Sequence, residues 1–412
     1  TGISVVTNSP NNFTISNTLI DVTVSFNAPT GQSLTYTTPG SSTGQAGSIF
    51  TTTTFTVTKV NNILSGTAVI TGLPAGITST QSYNNNGPGN ILTITLSGVY
   101  PSANSVGTNL VISGLTATIS AFVVNYLVVA GGGGSGHYAG AGAGGGGLRT
   151  SYGTTSPVTL NGGTMEAGIS VFNATNYNIT IGGGGASNPA SVGSAVNVGG
   201  NGSNSTFNLT TSSGGGGSGG GAGGVNGVDG GSGGGGNGYN GSGLGGNAVT
   251  SPVIQGFKGG DSAGGQVSSG GGGAGAAGVN NSNVGANGLS INILNATNAA
   301  TASVGEVSSS NVFYSGGGGA WNAGAGGLGG GGNASTSGVD SSNTGGGAGG
   351  DAGAQSGSFP NGQSGVVILR YPNTKTINNP GGGLTQSTGS PFTEGTDKIS
   401  VFTAGTGNIQ FN

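Results

Sequence analysis

The chain has 412 residues, of which 4% are charged, with a formal net charge of −3 and no cysteine. An average soluble domain carries about 25% charged residues. This balance therefore excludes the basic patch that nucleic-acid binding needs and makes electrostatic steering weak. Disulfides and thiolate metal sites are excluded outright, and the longest apolar run falls far short of the ~20 residues that insert in a membrane as a helix.

In chain order, residues 1–118 read as all-β. Ile20–Phe26 and 50–60 alternate with the strand period of two. Residues 67–71 lead into Gly72-Leu73-Pro74-Ala75-Gly76, a turn whose proline and glycines preset the backbone. Further strands are expected at 91–96 and 110–119. Short strands with turn signals every 8–12 residues point to an immunoglobulin-like β-sandwich. The opening Thr1, with no charged-then-apolar leader before it, is what a processed or excised segment would show.

From Tyr126-Leu127-Val128-Val129-Ala130 onward the pattern changes. Most of the 99 glycines lie between Gly131 and Gly365, and quartets recur, as at Gly131–Gly134, Gly144–Gly147, Gly214–Gly217 and Gly316–Gly319. Glycine costs about 0.5–1 kcal/mol more to order than alanine. Such a region is either a tether or a place where main chain packs on main chain. The quartets are irregularly spaced, which excludes collagen, and strand-like segments such as 167–172, 177–181 and 289–294 run into or out of them, which a tether would not need. The expected solution is a stack of extended threefold helices of the polyglycine II kind, hydrogen-bonded side by side. Ala, Ser and Asn between quartets are then expected at outer faces or layer edges. The whole chain is expected to be all-β: a sandwich over 1–118, a glycine-rich domain over 119–372, and a linker with a C-terminal strand over 373–412.

The segments 126–134 and Ser364-Gly365-Val366-Val367-Ile368-Leu369-Arg370-Tyr371-Pro372 bracket the glycine-rich region. With this pair the chain resembles the glycine-rich domain of bacteriophage tail-fibre and appendage proteins, over roughly 120–372. The resemblance implies a virion protein in an extracellular appendage that displays loops to a bacterial surface receptor, protein or glycan. It also implies contact with other virion proteins as a homo-oligomer, with neither nucleic acid nor membrane insertion. In that family a segment like 398–411 often precedes the opening strand; here it ends the chain. Its apolar residues Ile399, Val401, Phe402, Ile409 and Phe411 are therefore candidates for strand addition to a neighbouring subunit. Truncation of 392–412 is then expected to abolish assembly without unfolding the protomer.

Chemistry has few groups to work with, so no enzyme, cofactor or metal site is expected. His137, the only histidine, has Glu166 as its nearest acid in sequence and reads as a surface-loop residue. The Gly-x-Gly-x-x-Gly matches lack the strand, helix and distant acid of a dinucleotide site. Asp229, Asp261, Asp340 and Asp351 lack the nonapeptide period of calcium rolls. The aromatic residues stand out more, because large rings among small residues give contact area at low entropic cost. His137, Tyr138, Tyr239, Phe313, Tyr314 and Trp321 are the candidate receptor-contacting residues, with a cap over the end of the array as the plainer role for Trp321. Alternatives of other classes are a purely structural capsid or tail appendage or filament subunit joined by strand exchange, a bacterial surface adhesin, and an ice-binding bundle.

Overall fold

The computed structural model describes residues 121–153, 166–173, 175–188, 197–334, 343–351 and 360–412, together with the strands between residues 4 and 118. The chain divides into two compact units, Thr1–Ala121 and Phe122–Asn412. Among the described residues it is almost wholly β, with a single short helix, Ala296–Ala302.

In the first unit, one sheet orders its strands as Ser4–Ser9, Asn12–Asn17, Ile20–Phe26, Thr108–Ser113 and Val69–Thr71. A second sheet orders Leu34–Thr37, Ile49–Lys59, Asn90–Val99 and Ile77–Asn84. The threonine-rich run and its neighbours thus fall on strands as expected. The face-to-face packing that would make these sheets an immunoglobulin-like sandwich lies outside the described residues.

The second unit is built on a sheet in which the bracketing pair are adjacent strands. The opening strand Phe122–Val129 runs antiparallel to the closing strand Val366–Pro372, from Asn125 opposite Arg370 to Val129 opposite Val366. Both strands read as continuous apolar runs because both sheet faces are covered. Leu127, Val129, Val366 and Ile368 pack on one side with Leu289, Ile291 and Tyr314. Tyr126, Val128, Val367 and Leu369 pack on the other with Phe207 and Phe411. An oily interior therefore anchors one end of this unit, in addition to main-chain contact.

The C-terminal segment corrects an expectation. The final strand, Asp397–Phe411, pairs within its own chain. Its first half lies against the closing strand, Val367 opposite Phe402 through Pro372 opposite Asp397. Its second half lies against Tyr177–Thr180. Three short strands, Phe392–Glu394, Leu384–Gln386 and Ile377–Asn378, also pair with it. Ile399, Val401, Phe402, Ile409 and Phe411 are fully buried in the two apolar clusters. Their own sheet and core occupy them within this chain. Residues 373–412 belong to the same compact unit as the glycine-rich region.

Arg370, the arginine of the closing motif, has a structural role. Its Nε donates to Asp397 at 2.8 Å and its Nη1 to Glu394 at 3.1 Å and to the Ile293 carbonyl at 3.2 Å. Glu394 in turn accepts the Asn295 main-chain N–H and the Asn298 side chain, at the start of the helix. The charge is thus fully partnered where it is only 13% exposed, which a mostly buried guanidinium requires.

Beyond the sheet, the glycine segments form a hydrogen-bonded array with a three-residue period. Gly131 and Gly134 donate to the carbonyls of Ser203 and Gly200; Gly132 and Ser135 to those of Gln363 and Pro360; Ala130 and Gly133 to those of Gly147 and Gly144. Consecutive residues thus face three different neighbours. Residues 140–147 form the centre. Gly140, Ala143 and Gly146 donate to the segment 345–351, Ala141, Gly144 and Gly147 to 213–219, and Gly142 and Gly145 to 269–272. Its carbonyls accept from Ala130 and Gly133, from Ser232 and Gly235, and from Gly318 and Trp321. Six neighbours surround one segment, and every N–H from 140 to 147 is satisfied. A sheet strand has only two neighbours, so this geometry is open only to segments whose backbones can approach from all sides.

The expectation that Ala, Ser and Asn mark only edges does not hold. Ala141, Ala143, Ala348, Ser218 and Ser232 are completely buried. Among the described residues the Ser232 hydroxyl has no hydrogen-bond partner, but at other positions a serine hydroxyl stands in for a main-chain group. Ser218 Oγ accepts the Gly136 N–H at 2.8 Å. Ser315 Oγ donates to the Gly146 carbonyl, the next place in the ladder after the Gly318 and Trp321 amides at residues 143 and 140. Asparagine is divided: Asn197 and Asn237 are completely buried, while others lie at the edges. The exposed Asn201 and Asn204 accept through their side chains from Gly217 and Gly214 at 2.9 Å, keeping the period of three.

Candidate functional site at the end of the glycine array

Segment 130–135 leaves the opening strand, turns through 136–139, and returns as 140–147 into the strand Leu148–Thr150. The turn 136–139 therefore lies at the end of the array away from the sheet. Other loops meet it there. The Gly221 N–H donates to the Tyr138 carbonyl at 3.0 Å, and Trp321 N–H to Gly140 at 2.8 Å. The side chains of Asn237 and Ser268 each donate to the Ala139 carbonyl at 2.7 Å.

These contacts bring together candidates far apart in sequence. The Tyr138 and Tyr239 rings meet edge to face with centroids 5.2 Å apart, and Tyr239 and Trp321 meet likewise at 6.1 Å. All three residues are half-buried. A hydrogen bond with Tyr239 pushes the Tyr138 phenol pKa above its ordinary value. The Trp321 main chain meets the start of the central segment at Gly140, and its ring belongs to the cluster.

The loops that carry the rings are strained. Tyr138 and Ala139 have φ of +67° and +48°, Asn240 +55°, and Asn322 and Ala323 +70° and +60°. A non-glycine residue in this left-handed region costs roughly 1–2 kcal/mol. Two in succession persist only where the surroundings hold them, and such places cluster at binding and catalytic sites. Here the clamps are Gly221, Asn237 and Ser268 on the carbonyls of 138 and 139, and Asp351 Oδ2, which accepts the Tyr138 N–H at 3.4 Å.

His137 departs from its expected place. It is 3% exposed, not a surface residue, and its Nδ1 lies 2.6 Å from Asp351 Oδ2. Sequence distance misled here, because the array brings residue 351 onto residues 137–140 across more than two hundred positions. Glu166, the nearest acid in sequence, instead pairs with Arg149. At this burial the pair reaches no bound surface directly. Its role in the cluster is to fix the turn.

Phe313 and Tyr314 do not join the others. They lie on the strand Asn311–Tyr314, with Tyr314 opposite Leu289 in the apolar interior near the sheet. Tyr314 is completely buried and its hydroxyl has no hydrogen-bond partner. Burial pushes its phenol pKa strongly up. Tyr314 thus cannot be a contact residue in this arrangement. Tyr314→Phe removes an orphaned polar atom, whose burial costs about 1–3 kcal/mol, and leaves the ring in place. The variant is expected to be as stable as the parent or more so, by up to ~1 kcal/mol, in urea denaturation.

Asp351, Asn237 and Ser268 were not legible as site residues from the sequence. Each resembles many other polar residues between glycines, and only the register of the array selects them.

A nearly all-β chain whose second unit carries a glycine array bonded through its main chain is a glycine-rich-domain protein. Residues 111–372 of the 412 match the glycine-rich domain family, and the chain belongs to that family. No curated protein and no solved structure matches the chain.

Proposed function

We propose that the chain is a bacteriophage virion fibre or adhesin protein, with the end of its glycine array attaching to the bacterial host surface. The reading extends to an immunoglobulin-like sandwich in the first unit as the spacer or joint to other virion proteins, and to polyglycine II as the description of the array. One observation carries it: Tyr138, Tyr239 and Trp321, from three separate loops, converge on strained, clamped turns at the end remote from the sheet. A scaffold of hydrogen-bonded main chain, clamped by a few polar side chains, holds those rings at low entropic cost, which favours binding. The purely structural alternative would need the C-terminal strand, here paired within its own chain, to exchange between subunits.

The test is adhesion of the full chain to a panel of aquatic bacterial isolates. Parent protein is expected to be retained by some isolates. The Tyr239→Ala/Trp321→Ala double variant, with an unchanged melting temperature, is expected to lose about two orders of magnitude in affinity, as removal of paired hot-spot aromatics does. Retention by no isolate, or equal retention of the double variant, would sink the proposal.

A further inference from the structure

Among the described residues, the charges nearest the ring cluster are paired. Asp351 and His137, which contact these loops, are paired with each other and 11% and 3% exposed. Lys258 and Asp261, on an adjoining segment, are likewise paired, with Nζ 2.7 and 2.8 Å from the two carboxylate oxygens. What surrounds the rings is amide: Asn240, Gln266 and Asn322 are exposed, and the Gln266 N–H donates to Gly238 at 3.2 Å, beside Tyr239. The loops 137–139, 238–242, 263–267 and 321–323 offer only alanines and Val267 as aliphatic residues. That is too little for the dry, well-packed centre on which a protein interface depends.

We propose that this cluster is a subsite for a neutral pyranose of a surface glycan. The apolar C–H face of the sugar lies on Trp321 and Tyr239, whose rings offer an apolar body with a polar tip. The sugar hydroxyls are taken by the Tyr138 and Tyr239 phenols and the amides of Asn240 and Asn322. A uronate or other acidic sugar is disfavoured, because among the described residues no unpaired cation at the cluster compensates the burial of its carboxylate. The inference rests on the attachment reading above and narrows it to one ligand chemistry.

Trp321 is the only tryptophan in the chain, so intrinsic tryptophan emission reports on this site alone. The full chain is titrated with dextran, mannan and galactan, with polygalacturonate as the charged counter-probe. A saturable emission change is expected with at least one neutral polymer and none with polygalacturonate. Tyr239→Ala is expected to weaken the response about tenfold, as loss of one stacking ring does. Tyr239→Phe, which keeps the ring and removes only the hydroxyl, is expected to weaken it less and guards against a folding defect. Bacterial outer-membrane vesicles, native and periodate-oxidised, form the second arm. No response to any neutral polymer, with an undiminished response to periodate-oxidised vesicles, overturns the glycan inference and leaves attachment standing. No response to either polymers or vesicles overturns both.

Discussion

Removal of residues 397–412 is expected to unfold the unit Phe122–Asn412 altogether, and not merely to uncouple subunits. The deletion takes away Ile399, Val401, Phe402, Ile409 and Phe411, all fully buried. At about 1.5–3 kcal/mol for each buried apolar side chain, their loss approaches or exceeds the roughly 5–15 kcal/mol that holds a typical protein folded. The cut also exposes an edge of the closing strand and of Tyr177–Thr180, inviting aggregation. The measurement is soluble yield and circular dichroism of the truncated chain. A soluble, cooperatively melting product would show that the final strand is dispensable and would revive the idea of strand exchange. A graded version is Phe411→Ala, expected to cost about 3–5 kcal/mol and to be read as a shift in the urea midpoint.

The second large effect concerns one methyl group. In Gly144→Ala the new Cβ would run into the main chain of Ser232 and Gly233. Neither can retreat, because Ser232 donates to Gly145 at 3.0 Å while Gly233 and Gly234 donate to Phe257 and Val228 at 3.0 Å. Overpacking against side chains costs about 1–3 kcal/mol; against fixed backbone at the centre of six neighbours the cost should exceed that range. Gly183→Ala is the control. Its Cβ would meet nothing within 4 Å and its backbone lies outside the left-handed region, so it should stabilise by about 0.4–1 kcal/mol through the unfolded state. Urea midpoints of the pair, with amide exchange of residues 140–147, settle the matter. Equal stability of the two variants would mean that close main-chain packing is not what holds the array.

Much of this fold could be read from the sequence because its strongest signals were local. The runs Tyr126–Ala130 and 364–372 announced strands, and they prove to be each other's partners. The glycine quartets announced main-chain packing, since no other structure benefits from so many missing side chains. What escaped was non-local. The final strand looked unpartnered because its apolar residues stand next to no obvious mate in sequence, while its partners lie at 177–180, 366–372 and 377–394. His137 seemed to lack a carboxylate because Asp351 reaches it only through the register of the array. Tyr314 and Trp321 both follow or flank the same quartet, yet that segment runs the length of the array. One therefore lies in the interior near the sheet and the other at the free end.

Glycine next to glycine specifies nothing about which residue should bond to which. A segment displaced by one three-residue step would find the same donors and acceptors waiting. Asn201 and Asn204, with Asn226 and Asp229 accepting from Leu244 and Asn247 at 2.8 and 2.6 Å, break that degeneracy, because each side-chain oxygen reaches a single amide. These edge residues act as indexing pins. Replacing them with alanine would cost little in any one bond, yet would leave the array free to settle in several alignments, each aiming its terminal loops differently.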